Sequence, residues 1–307
     1  MVEGESFHAI YLVLNDFRLF PASLRSIYAH ISGATVITSY DRDRFGSPVT
    51  PDATVTSLLS RELDPERKVN VIIATEGSEA ALRNRAMAFA CPAPQASRIR
   101  DREQGLPVTP RPDWFWIVDA DEIYEAIAVH RLKQFVREHR APAFLAGSYS
   151  YWRSWNWRIE ESSHRVVLVE PGHWFEHLRH LHLSPVARLA RKLHHLHIAP
   201  DRAAAPFIGM RVPRDVAVFH HGDWIGDRGR IEAKLASSGH RSQFLDGWLE
   251  RVWDPWTPEM SDLHPFDPPV FPRAEHVSTS DLPAEIRDHA WPDGWLEPDG
   301  KSDSGLG

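Results

Sequence analysis

Mostly apolar, β-branched-rich runs occupy residues 8–14, 34–38 and 69–74, and between them apolar positions recur three and four apart. These runs predict strands, the first of them buried, whereas the wider spacing predicts helices with one side against a sheet. A helix begins near Pro21 with Leu24, Ile27, Tyr28 and Ile31 on one face, and a second covers 78–90 with Leu82, Ala86 and Phe89 towards the sheet. Residues 51–60 read as a shorter helix. Strand and helix alternate, which predicts an α/β fold with a mainly parallel sheet covered on both faces. Residues 92–112 have no clear period and read as a surface loop.

The next strand is WFWIVDADE, residues 114–122, where an apolar segment ends abruptly in Asp119, Ala120, Asp121 and Glu122. In an extended chain positions i and i+2 share a face, so Asp119 and Asp121 are expected to offer both carboxylates to one hard cation. Strand ends of this kind are where open α/β sheets bind ligands.

Beyond Tyr124 the pattern changes. A helix over 126–139 leads to a strand at 144–151 and another at 165–170, with YWRSWNWRIEE between them. Ser184 and Pro185 start an amphipathic helix, 185–197, whose polar side carries Arg188, Arg191, Lys192 and His195. No acid occurs from residue 177 to residue 200. A strand at 216–220 and helices at 230–238 and 243–253 follow. From 254 onward nine prolines and scattered tryptophans predict an irregular tail that wraps the body and frays after about Pro298.

Composition narrows the function. A net charge of −7 and pI near 6.2 argue against a nucleic-acid partner. The single Cys91 makes no internal disulfide, and no apolar run of about 18 residues or basic leader occurs, so the cytoplasm is the expected compartment. Twelve tryptophans suit sugar faces as well as cores. Trp152, Trp155 and Trp157 alternate with polar residues and are candidates for stacking on a sugar face or aglycone. Glu160, Glu161 and Asp223 lie in segments that should border the sheet's C-terminal edge and are candidate general bases. The histidines of HLRHLHL and HHLH lack a closed metal-ligand set; the basic helix 185–197 is a candidate contact for an anionic acceptor or a membrane surface.

Taken together, LNDFRLFPASLRSIY, LRNRAMAFA, DWFWIVDADEI, VFHHGDW and KLASSGH resemble glycosyltransferases of the GT-A fold, of the family 2-like and bacterial family 17-like kinds. The resemblance covers roughly residues 7–245. It implies a Rossmann-like sheet over 1–253, with a nucleotide-binding half at 7–125 and an acceptor and metal half at 126–253, followed by the tail 254–307. It further implies transfer of a hexosyl or N-acetylhexosaminyl group from a nucleoside diphosphate donor, a UDP-sugar, to a hydroxyl acceptor, with inversion. By the same resemblance Asn15, Asp16, Asp41, Arg83 and Asn84 line the nucleotide pocket, Lys234 and His240 reach the diphosphate, and Asp119 sits near ribose and metal. Asp121 and His220 would ligate the ion, with His221 competing, and Glu122 would organise them from behind. Imidazole favours Mn2+ over Mg2+.

Two enzymatic rivals fit less well. A haloacid-dehalogenase-type phosphatase places its aspartate pair near the N-terminus, and a nucleotidyltransferase needs a glycine-rich loop where residues 15–21 contain no glycine. A carbohydrate- or nucleotide-sugar-binding protein without turnover is the alternative from another class.

Overall fold

The computed structural model describes residues 5–13, 18–38, 60–74, 77–91, 111–177, 179–182, 209–238 and 241–298. β1 (Phe7–Val13) is buried along its whole length, as an apolar run inside a covered sheet must be. α1 (Phe20–Tyr28) follows, with Pro21 in its first turn, where a missing amide hydrogen breaks no helical bond. β2 (Gly33–Thr38) and β3 (Val69–Ile73) come next, and Ser78 caps α2 (Glu79–Ala90) by accepting the Ala81 N–H. β4 (Trp114–Asp119) ends in the acids. These four strands lie in parallel in the order β3-β2-β1-β4, so their C-terminal ends share one edge.

The second half completes a mixed, mainly parallel sheet. After a turn at Ala120–Asp121 come β5 (Glu122–Tyr124) and α3 (Ala126–Glu138). β6 (Ala143–Arg153) and β7 (Trp157–Val169) form a long antiparallel hairpin. The sequence pattern suggested a connection over residues 152–164; the chain instead runs as strand on both sides of Ser154, whose hydroxyl accepts the Asn156 N–H in the turn. A small hairpin, β8 (Phe175–His177) and β9 (His180–Leu181), then β10 (Met210–Arg211), β11 (Val218–Ile225) and α4 (Arg228–Ser237) follow. Among the described residues of the tail only β12 (Glu275–His276) and the short α5 (Ala284–Arg287) are regular strand or α-helix. The helix expected over 243–253 is a 3-10 turn at Arg241–Gln243 and a wide turn at Leu249–Trp253, interrupted by Gly247 at φ 65.

The full order is β3-β2-β1-β4-β7-β6-β11-β5. Only two residues separate β4 from β5, yet β5 pairs with β11 at the far edge, so the sheet curls back on itself. β4 meets β7 only through Phe115–Val169 and Trp116–Leu168. Beyond Trp116 the two strands part, and charged side chains fill the opening.

α1 and α3 cover one face of the sheet, with Tyr11, Leu24, Trp116 and Leu132 among their buried contacts. α2, Phe175 and Leu181 cover the other. The tail supplies two further clusters: Val277, Leu282, Ile286 and Trp295 pack on Tyr151 and Trp155, while Leu263 and Phe271 pack among Trp152, Trp224 and Trp248. Among the described residues no helix is long and apolar enough to cross a membrane. The helix expected at 185–197, residues 51–59 and the tail beyond 298 lie outside the described residues.

Candidate functional site

Asp119 closes β4 opposite Leu12 of β1, at the edge shared by the parallel strands. The chain is not extended through the motif. It turns at Ala120 and Asp121, so the two-residue alternation does not set the side-chain directions, and each carboxylate has its own partners. Arg83 Nη2 reaches Asp119 Oδ1 at 2.8 Å and Arg179 Nη2 reaches Oδ2 at 2.8 Å. Burial alone would raise this carboxyl, but Arg179 and Arg83 outweigh it and hold Asp119 well below the usual carboxylate range. Its side chain keeps 25% of its surface exposed, so the ion pairs sit at the mouth of the opening.

Asp121 is 4% exposed. His221 Nε2 lies 3.3 Å from its Oδ1 and Lys234 Nζ 3.2 Å from its Oδ2. Burial again opposes ionisation; Lys234 and His221 prevail and keep the group ionised. His221 Nδ1 in turn lies 3.4 Å from Asp223 Oδ2. Burial lowers the imidazole's proton affinity, but Asp223 and Asp121 raise it further, so the net shift is upward. Burial pushes the Asp223 carboxyl up. Asp223 Oδ1 is a buried acceptor with no hydrogen-bond partner among the described residues.

An extra residue in β11 explains this string. His221 pairs with Ser150 and Trp224 with Trp152, three positions against two, so a bulge at this point accompanies Asp223 lying beside His221 while Trp224 packs with Trp152 and Trp248. Gly222 sits in that bulge and donates its N–H to the Asp121 carbonyl at 2.8 Å.

Glu122 is fully buried behind the motif; it accepts the Asp119 N–H at 3.2 Å and takes Arg179 Nη2 at 2.7 Å. Burial pushes its carboxyl up. Glu161 is buried alongside, accepting from Ser148 at 2.7 Å, Ser150 at 3.1 Å, Ser163 and Arg165. Burial opposes its charge, yet Arg165 leads the groups that hold it below the ordinary range.

Several expected site residues stand elsewhere. His220 faces the opposite side of β11, with Tyr151 Oη at 2.7 Å from Nδ1 and Glu125 Oε1 at 2.9 Å from Nε2; His221 is the histidine beside Asp121. Asn84 does not face the crevice: its carboxamide donates to the Phe175 carbonyl and accepts the Phe175 N–H, both at 2.8 Å, docking the β8–β9 hairpin on α2. Glu160 points outward to Arg214 at 3.0 Å. Trp152 and Trp155 are wholly buried core residues, which removes them as stacking surfaces, and Trp157 packs against Trp256 and His276. Asn15, Asp16, Asp41 and His240 lie outside the described residues. Arg83, Asp119, Asp121, Asp223 and Lys234 are brought together. Arg179 and Arg165, which pattern did not single out, complete the cluster; in HLRHLHL, Arg179 stands between Leu178 and His180 with nothing to mark it.

The donor chemistry of Asp119, Asp121, His221 and Asp223, hard oxygens with one imidazole and an unpartnered buried oxygen, fits a divalent cation. Their arrangement is nevertheless one of ion pairs, and among the described residues no three such groups stand as a ready metal-ligand set.

No protein-family model matches the chain, and no curated protein matches it. Among solved structures it is similar to S. aureus TarS 1-349, with TM-score 0.33 and 14% identity over 47% of this chain and 36% of that one. The same protein in complex with UDP gives 0.32 and 14% over 47% and 36%, and in complex with UDP-GlcNAc 0.31 and 14% over 47% and 35%. The chain therefore spans about a third of the length of these structures. A likeness of this strength bears on neither ligand nor reaction, which rest on the site itself.

Proposed function

We propose that the protein is a metal-dependent glycosyltransferase of the GT-A type, moving a sugar from a nucleoside diphosphate donor, a UDP-sugar, to a hydroxyl acceptor with inversion. The observation that carries this reading is the acidic turn at the shared edge of the parallel strands, surrounded by Arg83, Arg179 and Lys234 and backed by the buried Asp223. Cations gathered at such an edge suit a diphosphate, and a hydroxyl nucleophile needs a base. A divalent ion held by Asp119, Asp121 and His221 would screen charge developing on the departing diphosphate.

Asp223 is the base in this scheme. Its burial raises its proton affinity towards the working pH, which strengthens it as an acceptor of the hydroxyl proton. Glu161 is committed to serines and Arg165, and Glu160 lies outside the opening. Asp223→Asn is expected to lower turnover by roughly 10²-fold or more while leaving UDP affinity within a factor of about two. Transfer assays and calorimetry measure the two; undiminished transfer removes Asp223 from the role. Manganese-dependent donor hydrolysis by the unmodified protein separates a transferase from a binder that lacks turnover.

A further inference from the structure

Every carboxylate oxygen of the Asp119 and Asp121 pair already faces a protein nitrogen: Arg83 and Arg179 at Asp119, His221 and Lys234 at Asp121. Arg179 is the most committed, since its Nη2 bridges Asp119 Oδ2 at 2.8 Å and Glu122 Oε1 at 2.7 Å while the residue is 9% exposed. A divalent cation arriving alone must break these pairs and sit beside guanidinium groups left under-compensated, Arg179 with only Glu122 and Arg83 with only Glu79. A diphosphate arriving alone finds guanidinium groups already neutralised. Arriving together, the two can exchange partners with the protein: carboxylates turn to the cation, and phosphate oxygens take the released guanidinium, whose planar donors suit them.

We propose that Arg179 is an exchangeable counter-ion that makes the cation and the nucleoside diphosphate bind as a coupled pair, each weakly on its own. The idea rests on the functional reading above. The hairpin that carries Arg179 is fixed independently of it, through Asn84 on the Phe175 backbone and through Phe175 and Leu181 in the core. The exchange therefore needs only a side-chain rotation, not loss of the hairpin.

Calorimetry of the full chain tests this with Mn2+ and UDP as probes, each titrated with and without the other. In the unmodified protein UDP is expected to tighten Mn2+ binding about tenfold or more, and Mn2+ to tighten UDP binding by the same factor. In Arg179→Met, Mn2+ alone should bind about tenfold more tightly than to the unmodified protein, and the coupling should fall below about threefold. Arg179→Lys, which keeps the charge, should retain most of it. If UDP binds but Mn2+ affinity is the same with or without it, or the same in Arg179→Met, the exchange is overturned while the donor assignment stands. If UDP fails to bind under every condition, both are overturned. Should Arg179→Met not fold, Arg179→Gln, which keeps hydrogen-bond donors but no charge, must likewise weaken the coupling, and unchanged coupling there overturns the proposal.

Discussion

His220 and His221 are adjacent on β11 and carry different chemistry, because successive strand residues face opposite sides of the sheet. One is locked between Tyr151 and Glu125; the other stands between Asp121 and Asp223. The sequence exposes the alternation but not its phase, which is set by the pairing of His221 with Glu122 and of His220 with Ile123. Asp119 and Asp121 were legible because an apolar strand cannot continue through two acids. Arg179 was not, since nothing within ten residues of it hints that it meets Asp119, sixty positions earlier. Glu161 shows how a buried acid shapes pH behaviour. Its folded-state pKa lies below the ordinary 4.5, so its stabilisation is complete above that value and is lost as pH falls towards the folded one. Glu161→Gln, which leaves Arg165 without its carboxylate, is expected to cost about 2–3 kcal/mol at pH 7, and the gap should narrow steadily below about pH 4.5. Urea unfolding at a series of pH values measures it; a gap that does not change with pH contradicts an ionised Glu161.

At the scale of elements, the β11 bulge ties the site to the core. A Cβ at Gly222 would lie 2.8 Å from Trp155 Cη2 and 3.0 Å from Cζ2, and Trp155 is wholly buried between Tyr151 and Trp291. Gly222→Ala is therefore expected to cost about 1–3 kcal/mol and to displace Asp223 from His221. Thermal unfolding records the first effect, and a loss of turnover greater than the loss of folded protein records the second. Strand positions in the first half were readable to within a residue or two, because β1, β2 and β4 are buried on both faces. The β6–β7 hairpin was half hidden. β7 carries Glu161 and Arg165 inward against serines and acids, so a reading that seeks apolar positions finds no alternation there.

For the whole molecule, the α/β class followed from the alternation of elements, whereas the curl that lets β5 pair beyond β11 depends on contacts no local pattern encodes. The tail is part of the core. Deleting residues 277–307 would remove Val277, Leu282, Ile286 and Trp295 and uncover Tyr151 and Trp155. The shortened chain is expected to bind a hydrophobic dye and lose its near-ultraviolet circular dichroism; a native-like spectrum would show that the sheet stands without the tail.

The Asn156 side chain, at the tip of the β6–β7 hairpin, donates to the Val277 carbonyl at 3.0 Å and to Thr279 Oγ1 at 2.9 Å, and accepts the Glu297 N–H at 2.8 Å. These partners lie 121, 123 and 141 positions downstream. A ribosome making this chain thus exposes the hairpin tip long before these partners exist; water satisfies the amide until then, and burying it earlier would be costly. Packing of this tip is therefore expected to be completed only after residue 297 has emerged from the exit tunnel.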